Sequence, residues 1–527
     1  MTKRRRSRIL AFSATTLLAI SMAAPAGAQA DAALEIKRPV ARDQVLSAAQ
    51  QLEELALKSV GSGPSQMPGL AIAVVHEGEV VFLKGFGLRE EGKPDTVDAD
   101  TVFQLASLSK PVSSTVVAAL VGEGALEWDT PVSHINPGFQ LQGAYPSQQV
   151  TPRDLFSHRS GLPGDAGNEL EALGFDRQDI LSKLRQVPPA SSFRAGYSYS
   201  NFGLTAGAVA AADAAGLSWE DATRQKLFQP LGMAATSSRH SDFVAQTNRS
   251  ALHMLDDGHW AALLVRDADA QAPAGGISST VRDLAEWMKL ELSGGIYNGN
   301  RLIPADALSA THQPLMTRGN NPVTGASSFY GLGWNVEFER YGLSWGHAGA
   351  FSVGARTLVT LYPHSGLGIV VLGNSFPSGV PEALAASFFD LAFEGRVTRN
   401  WAEPWNAAYA GLFGPAIAEA EQTYAKPETV KPALDLDAYA GRYANDYFGE
   451  AEIAVSDEKL VLTMGPDAHS RFDLTHFDRD IFLYHPAPEM PEMPVAVSFT
   501  IGADGRGATV TMDDLNSSGL GTLTRKP

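Results

Sequence analysis

The chain has 527 residues, 44% of them apolar and 19% charged, which is too long for one ordinary core and too apolar for a disordered chain. It carries 58 acidic against 41 basic residues and no cysteine. That excludes disulfides, thiol nucleophiles and Cys-ligated zinc, and it argues against nucleic acid as a partner, because phosphate binding needs a basic surface.

Residues 1–30 open with Lys3, Arg4, Arg5, Arg6 and Arg8, continue as an apolar run and end on Ala28-Gln29-Ala30. This order predicts a secretory signal peptide cut after Ala30, hence a secreted or periplasmic protein; Arg4-Arg5 fits twin-arginine export only loosely. The mature chain then keeps 36 basic residues against 58 acids, a charge of −22. No other stretch approaches the roughly 18 consecutive apolar residues of a membrane span, so none is expected in the mature chain.

"GLAIAVVHEGEVVFLKGFGL" (69–88) predicts two strands joined through His76-Glu77-Gly78. Helical patterns follow at Ser109 to Glu123 and near Trp219 to Leu227. Two more strands appear in "RTLVTLYPHSGLGIVVLGN", turning at Pro363 to Gly366. Strands at both ends with helices between them predict one sheet built from distant segments, an α+β or mixed domain over 40–400. A linker with helical texture is expected at 401–432. Beyond it, over 433–527, "EIAV", "KLVLTM", "IFLYH", "VAVSFTI" and "ATVTM" predict a small antiparallel barrel or sandwich.

Three places could carry chemistry. Ser107-Leu108-Ser109-Lys110 puts a hydroxyl and an amine one helical turn apart, so the lysine can reach the serine, and Pro111 is tolerated if it falls in the first turn. Alone the pattern is weak, since Ser456-Asp457-Glu458-Lys459 repeats it between two predicted strands and reads as a solvated turn. Tyr199-Ser200-Asn201 sits in a loop before an Ala-rich helix. It can supply a proton carrier and an amide, or only a buried tyrosine and a cap. His347-Ala348-Gly349-Ala350 precedes a strand, and its small residues allow close backbone approach.

In this order and spacing the three motifs resemble those of the class C β-lactamase and penicillin-binding-protein-like serine hydrolases, as do "VTPRDLFSHRSGLPG" (150–164), "APAGGISSTVRDLAEWM" (272–288) and "YGLGW" (330–334). The resemblance implies an antiparallel sheet flanked by helices, followed by a lipocalin-like barrel. It makes Ser107 the acylated nucleophile, Lys110 its proton acceptor and Tyr199 the proton relay. Asn201 would hold Lys110 and the substrate carbonyl, and the N–H groups of Ser107 and Ala350 would form the oxyanion hole. His158 is implied to shape its loop. No metal or other cofactor is implied, and the partner is a small-molecule or short peptide substrate.

The third motif departs from the Lys-Thr-Gly or Lys-Ser-Gly of the β-lactamases. His347 supplies less charge and Ala348 no hydroxyl, which weakens recognition of a substrate carboxylate. The expected activity is therefore cleavage of D-amino-acid-containing peptides or amides, or small esters. A true β-lactamase and a non-catalytic peptidoglycan- or peptide-binding protein are the alternatives, and the oligomeric state is open.

Overall fold

The computed structural model describes residues 38–411, 414–487, 489–490 and 493–527; the expected leader at 1–30 lies outside the described residues. Helix α1 (Arg42–Ser59) repeats Val45, Ala48, Ala49, Leu52 and Ala56 on one buried face, the spacing of a helix laid on a core. That core is one face of an eight-stranded antiparallel sheet.

Strands β1 (Gly69–His76) and β2 (Glu79–Gly87) form the expected hairpin. The others come from the far end of the segment: β3 (Met316–Asn320), β4 (Ser327–Tyr330), β5 (Asn335–Glu339), β6 (Gly342–Phe351), β7 (Ala355–Tyr362) and β8 (Leu367–Gly373). The order is β2-β1-β8-β7-β6-β5-β4-β3, so the chain ends meet where β1 pairs with β8. Every residue of β1 is buried. Leu70, Ile72 and Val74 face α1 and the later helix α5 (Val380–Glu394), while Ala71, Ala73 and Val75 face helices from the middle of the chain. A strand covered on both faces needs no polar alternation, which is why β1 reads as an unbroken apolar run.

The middle segment supplies α2 (Ser109–Gly122), α3 (Asn201–Ala214) and α4 (Val281–Leu292). Helix α2 is buried continuously from Ser109 to Leu120, so it is a core helix with solvent on no side. Among the described residues no helix is long and apolar enough to cross a membrane.

After α5 the chain runs through α6 (Ala402–Ala410) and α7 (Gly414–Thr423) into an eight-stranded closed barrel. Its strands are Gly441–Asn445, Gly449–Ser456, Lys459–Met464, Ser470–Asp478, Ile481–Tyr484, Val495–Ile501, Gly507–Met512 and Thr522–Arg525. Closure comes from pairing of the last strand with the first, Tyr443 opposite Arg525, so the architecture is a barrel and not a sandwich. Three of the eight strands carry no clear pattern in sequence. Ser456 and Lys459 face each other across a two-residue turn whose Asp457 and Glu458 are left-handed, so the second Ser-x-x-Lys is a hairpin tip.

The barrel packs against the helix Asn168–Ala172. The Tyr447 hydroxyl donates to Glu169 Oε1 at 2.8 Å and accepts the Gly167 N–H at 3.3 Å. Apolar residues inside the barrel, such as Tyr443, Ile453 and Leu462, join one cluster with Phe202 and Ala206 of α3.

Candidate active site

Ser107 lies on a single 3₁₀ turn (Ala106–Leu108) that feeds directly into α2. The preceding Ala106 has φ +49°, a left-handed conformation that is costly for a residue with a Cβ and is held here by complete burial. Ser107 is not a helix cap, because the residue at the cap position of α2 is Leu108 and no side-chain cap bond forms. Pro111 falls in the first turn, where its missing N–H costs nothing.

The Ser107 hydroxyl instead meets Lys110, whose Nζ lies 3.0 Å from Ser107 Oγ, 2.7 Å from Asn201 Oδ1 and 2.9 Å from the Ala274 carbonyl oxygen. Ser109 and Ser113 on the same helix tie down the segment that brings Ala274: Ser109 Oγ accepts the Ile277 N–H and Ser113 Oγ donates to the Pro273 carbonyl. Lys110 is fully buried, and its burial, opposed by no carboxylate among the described residues, holds it well below the usual lysine range. Nζ donates to all three oxygens, and on losing a proton it would keep two N–H bonds for the two carbonyl oxygens and turn its lone pair to the serine O–H.

Tyr199 ends the loop before α3, and its phenol shares a hydrogen bond with Ser107. Its ring lies 4.6 Å from Lys110 Nζ. The cap of α3 is Ser200, whose Oγ accepts the Gly203 N–H at 3.1 Å, so Asn201 is the first helical residue and its amide is free to hold Lys110. The expected loop position thus applies to Tyr199 and not to Asn201.

His158 fixes Tyr199 from both sides. Its carbonyl accepts the Ser198 N–H at 2.8 Å and its Nδ1 accepts the Ser200 N–H at 3.1 Å. Its ring packs 4.5 Å from that of Tyr199 and 4.8 Å from that of Tyr330. His158 itself is left-handed, with φ +56°. Burial lowers the His158 pKa well below the ordinary histidine value and raises that of Tyr199. Both therefore stand uncharged at neutral pH. The Asp154 carboxylate, paired with Arg159 and Arg194 at 2.7 Å each, ties the 151–160 stretch to the loop before Tyr199.

The third motif lies inside β6 and not before a strand. Strand β5 pairs with β6 only as far as Asn335 opposite Gly346, which leaves the edge from His347 to Phe351 free of β5. Gly349 presses this edge onto the turn that carries Ser107. A Cβ there would stand 2.1 Å from the Leu105 carbonyl oxygen and 2.9 Å from the Leu108 nitrogen, so only glycine fits. The neighbouring Ala350 is exposed.

The His347 ring is hydrogen-bonded at both nitrogens. Nδ1 stands 2.8 Å from the Ala348 carbonyl oxygen and must donate to it, while Nε2 accepts from the Tyr330 hydroxyl at 3.0 Å. The side chain is buried and its pKa is held well below the ordinary value. Both ring nitrogens are thus engaged within the protein. Ala348 packs on the opposite sheet face, against the cluster that includes α1 and α5. A cavity of about 790 Å³ opens on that face, lined by Ala348, Tyr362, Glu382 and Tyr409 rather than by Ser107.

The structure thus brings Ser107, Lys110, Tyr199 and Asn201 into one contact set and lays Gly349 against them. Sequence reasoning did not find Ala274, a backbone carbonyl with no side-chain signal, or Tyr330, which stood in a quoted motif without a role. Together the groups present a hydroxyl with a buried amine of lowered pKa on one side and a phenol on the other, parts that could serve acyl transfer.

The family model for Beta-lactamase matches residues 50–391, and a domain of unknown function, DUF3471, matches residues 425–520. An unguisins hydrolase of Aspergillus campestris is 25% identical over 474 residues, covering 84% of this chain and 86% of that protein. Penicillin-binding protein 4 of Amycolatopsis lactamdurans is 28% identical over 394 residues, covering 72% and 94%. The solved octameric penicillin-binding protein homologue from Pyrococcus abyssi shares the fold, with a TM-score of 0.54 at 18% identity over 88% of this chain and 97% of its own. With its large antiparallel sheet and a family match across most of its length, the chain belongs to the Beta-lactamase family, within the β-lactamase and transpeptidase-like serine hydrolase superfamily.

Proposed function

We propose that the chain is an exported serine acyl-hydrolase that works through an acyl-enzyme on Ser107 and cleaves D-amino-acid-containing peptides or amides, or small esters. The observation that carries this reading is Lys110, buried beside Ser107 Oγ at 3.0 Å with two carbonyl oxygens for its N–H groups and no carboxylate to keep it charged. Ser107 Oγ attacks the substrate carbonyl carbon while its proton passes to Lys110 Nζ. The oxyanion accepts bonds from the Ser107 and Ala350 N–H groups. The proton returns through the Tyr199 hydroxyl to the leaving oxygen or nitrogen, whose bond to the carbonyl carbon breaks. Water then repeats the sequence on the acyl-enzyme, and the acid and Ser107 are released.

The substrate class follows from what the cleft edge lacks. His347 is engaged internally and Ala348 carries no hydroxyl, so the edge has neither group with which a Lys-Thr-Gly motif holds a carboxylate. A charge-assisted hydrogen bond is worth about 1.5–3 kcal/mol, so a carboxylate-bearing β-lactam should be the poorer substrate by about ten- to a hundredfold. The similarity to an unguisins hydrolase supports hydrolysis rather than binding alone.

A fluorescent phosphonate should add to Ser107 alone, as read by peptide mapping. p-Nitrophenyl esters or D-aminoacyl p-nitroanilides should turn over faster than nitrocefin. Label on Ser109 or Ser456, or label that survives Ser107→Ala, refutes the nucleophile; faster nitrocefin turnover refutes the substrate class in favour of a β-lactamase.

A further inference from the structure

Arg356 stands on β7 directly opposite Ala350, and it is 2% exposed. Its guanidinium is fully engaged. Nε donates to the Ser378 carbonyl at 3.2 Å, Nη1 donates to the Gly349 carbonyl at 2.9 Å, and Nη2 contacts Glu382 Oε1 and the Tyr409 hydroxyl. The Tyr409 hydroxyl donates to the same Glu382 oxygen at 2.8 Å, and the guanidinium lies 4.1 Å from the Tyr409 ring centre. Tyr409 belongs to α6, the helix that leads toward the barrel.

The Gly349 carbonyl and the Ala350 N–H are two ends of one peptide unit. In a trans peptide they point in opposite directions, so a carbonyl held toward Arg356 turns the N–H the other way, to the edge that β5 leaves free. That edge rests on the turn of Ser107. Burying a cation and a carboxylate is a poor way to gain stability, since apolar residues of the same size serve as well. The cluster therefore calls for another reason.

We propose that Arg356 is a positioning residue for the oxyanion hole: by holding the Gly349 carbonyl it aims the Ala350 N–H at the oxygen of the substrate, and Tyr409 on the connecting helix sets the guanidinium for this task. The inference rests on the acyl-enzyme reading above. It makes α6 part of the catalytic apparatus, although none of its residues approaches Ser107.

The test compares p-nitrophenyl acetate with its thionoacetate analogue, in which sulfur replaces the carbonyl oxygen and accepts hydrogen bonds weakly. Removing an oxyanion donor costs about 10²–10³ in rate, and a misaimed donor should cost part of that. Arg356→Lys, which keeps the charge and loses the fork, should lower kcat for the oxygen ester about ten- to a hundredfold with KM nearly unchanged. The loss for the thiono ester should be much smaller, so the oxo-to-thiono ratio falls. Tyr409→Phe should move the ratio in the same direction by a few-fold. Should Arg356→Lys fail to fold, Arg356→Met with Glu382→Met removes both buried charges and must show the same fall in the ratio.

Equal losses for both esters, or no loss, overturn the proposal and leave Arg356 a structural residue. Phosphonate label on a residue other than Ser107 in the unaltered protein overturns the acyl-enzyme reading itself, whatever the variants show.

Discussion

The depressed pKa of Lys110 makes stability and activity two readings of one ionisation. Burial depresses its pKa from the ordinary 10.5, so between the folded value and 10.5 the unfolded chain holds a proton that the folded chain does not. Stability rises with pH wherever the unfolded state binds more protons, at about 1.4 kcal/mol per pH unit for one group. Below the folded pKa both states are protonated and the full cost of burying the cation is borne. Lys110→Met removes this term and nothing else that titrates. The stability of the unaltered protein relative to Lys110→Met should therefore climb with pH, starting from the folded pKa and levelling near 10.5. The kcat/KM of the unaltered enzyme should rise through that same lower bend, because only the neutral amine accepts the Ser107 proton. Lys110→Met and Lys110→Arg should each lose at least the 10²–10⁴-fold of a general base. Urea titrations of the two proteins, at half-unit steps across neutral to alkaline pH, give the stability difference. Ester hydrolysis in the same buffers gives the rate. A stability difference that is flat with pH, or a rate profile that bends well away from the stability profile, refutes the assignment of Lys110 as the neutral base.

Two further outcomes test the supports of the site. His158→Ala removes the acceptor of the Ser200 N–H and puts alanine at φ +56°, so it should destabilise the fold by about 1–3 kcal/mol and lower kcat more than it raises KM; unchanged kcat would show that Tyr199 needs no such support. Gly465→Ala sets a Cβ 2.0 Å from the Leu173 carbonyl oxygen at a glycine with φ +84°, and should lower Tm and speed proteolysis; an unchanged Tm would refute the seating of the barrel on the 168–172 helix.

The parts of the site that could be read in the sequence are those that local geometry places. Ser107 and Lys110 are three apart, and both the 3₁₀ turn and the helix bring such residues to one side. Tyr199 and Asn201 flank the capping serine of α3, so their shared side of the loop follows from the start of the helix. The strand hairpins at 69–87 and 355–373 were equally plain, because β-branched runs bracket a turn. What stayed hidden depends on distant chain. Ala274 contributes a carbonyl oxygen, and Arg356 looks like any charged strand residue until β7 lies beside β6. "GLSWGHAGAF" has too many small residues for strand propensity, so β6 was recognised only as the approach to a strand; its conformation is imposed by β7 and by the turn that carries Ser107. The overlooked barrel strands, "GRYAN", "SRFDLTHFD" and "TLTR", are short or largely polar, and closure of the barrel rather than local preference makes them strands.

The groups gathered around Ser107 share a property that no single motif expresses. Lys110, His158 and His347 are held below their ordinary pKa values and Tyr199 above its own, each mainly by burial, so burial favours the uncharged form of all four. On the proposed mechanism the Ser107 proton crosses 3.0 Å to the neutral form of Lys110, and charge develops in the site at that step. The new ammonium and the new oxyanion are then near neighbours in a poorly screened interior, where their attraction is far stronger than in water. A carboxylate placed beside Lys110 would tighten its grip on the proton before attack and so remove the base. Among the described residues no carboxylate pairs with Lys110, which suits it to the proposed role of base.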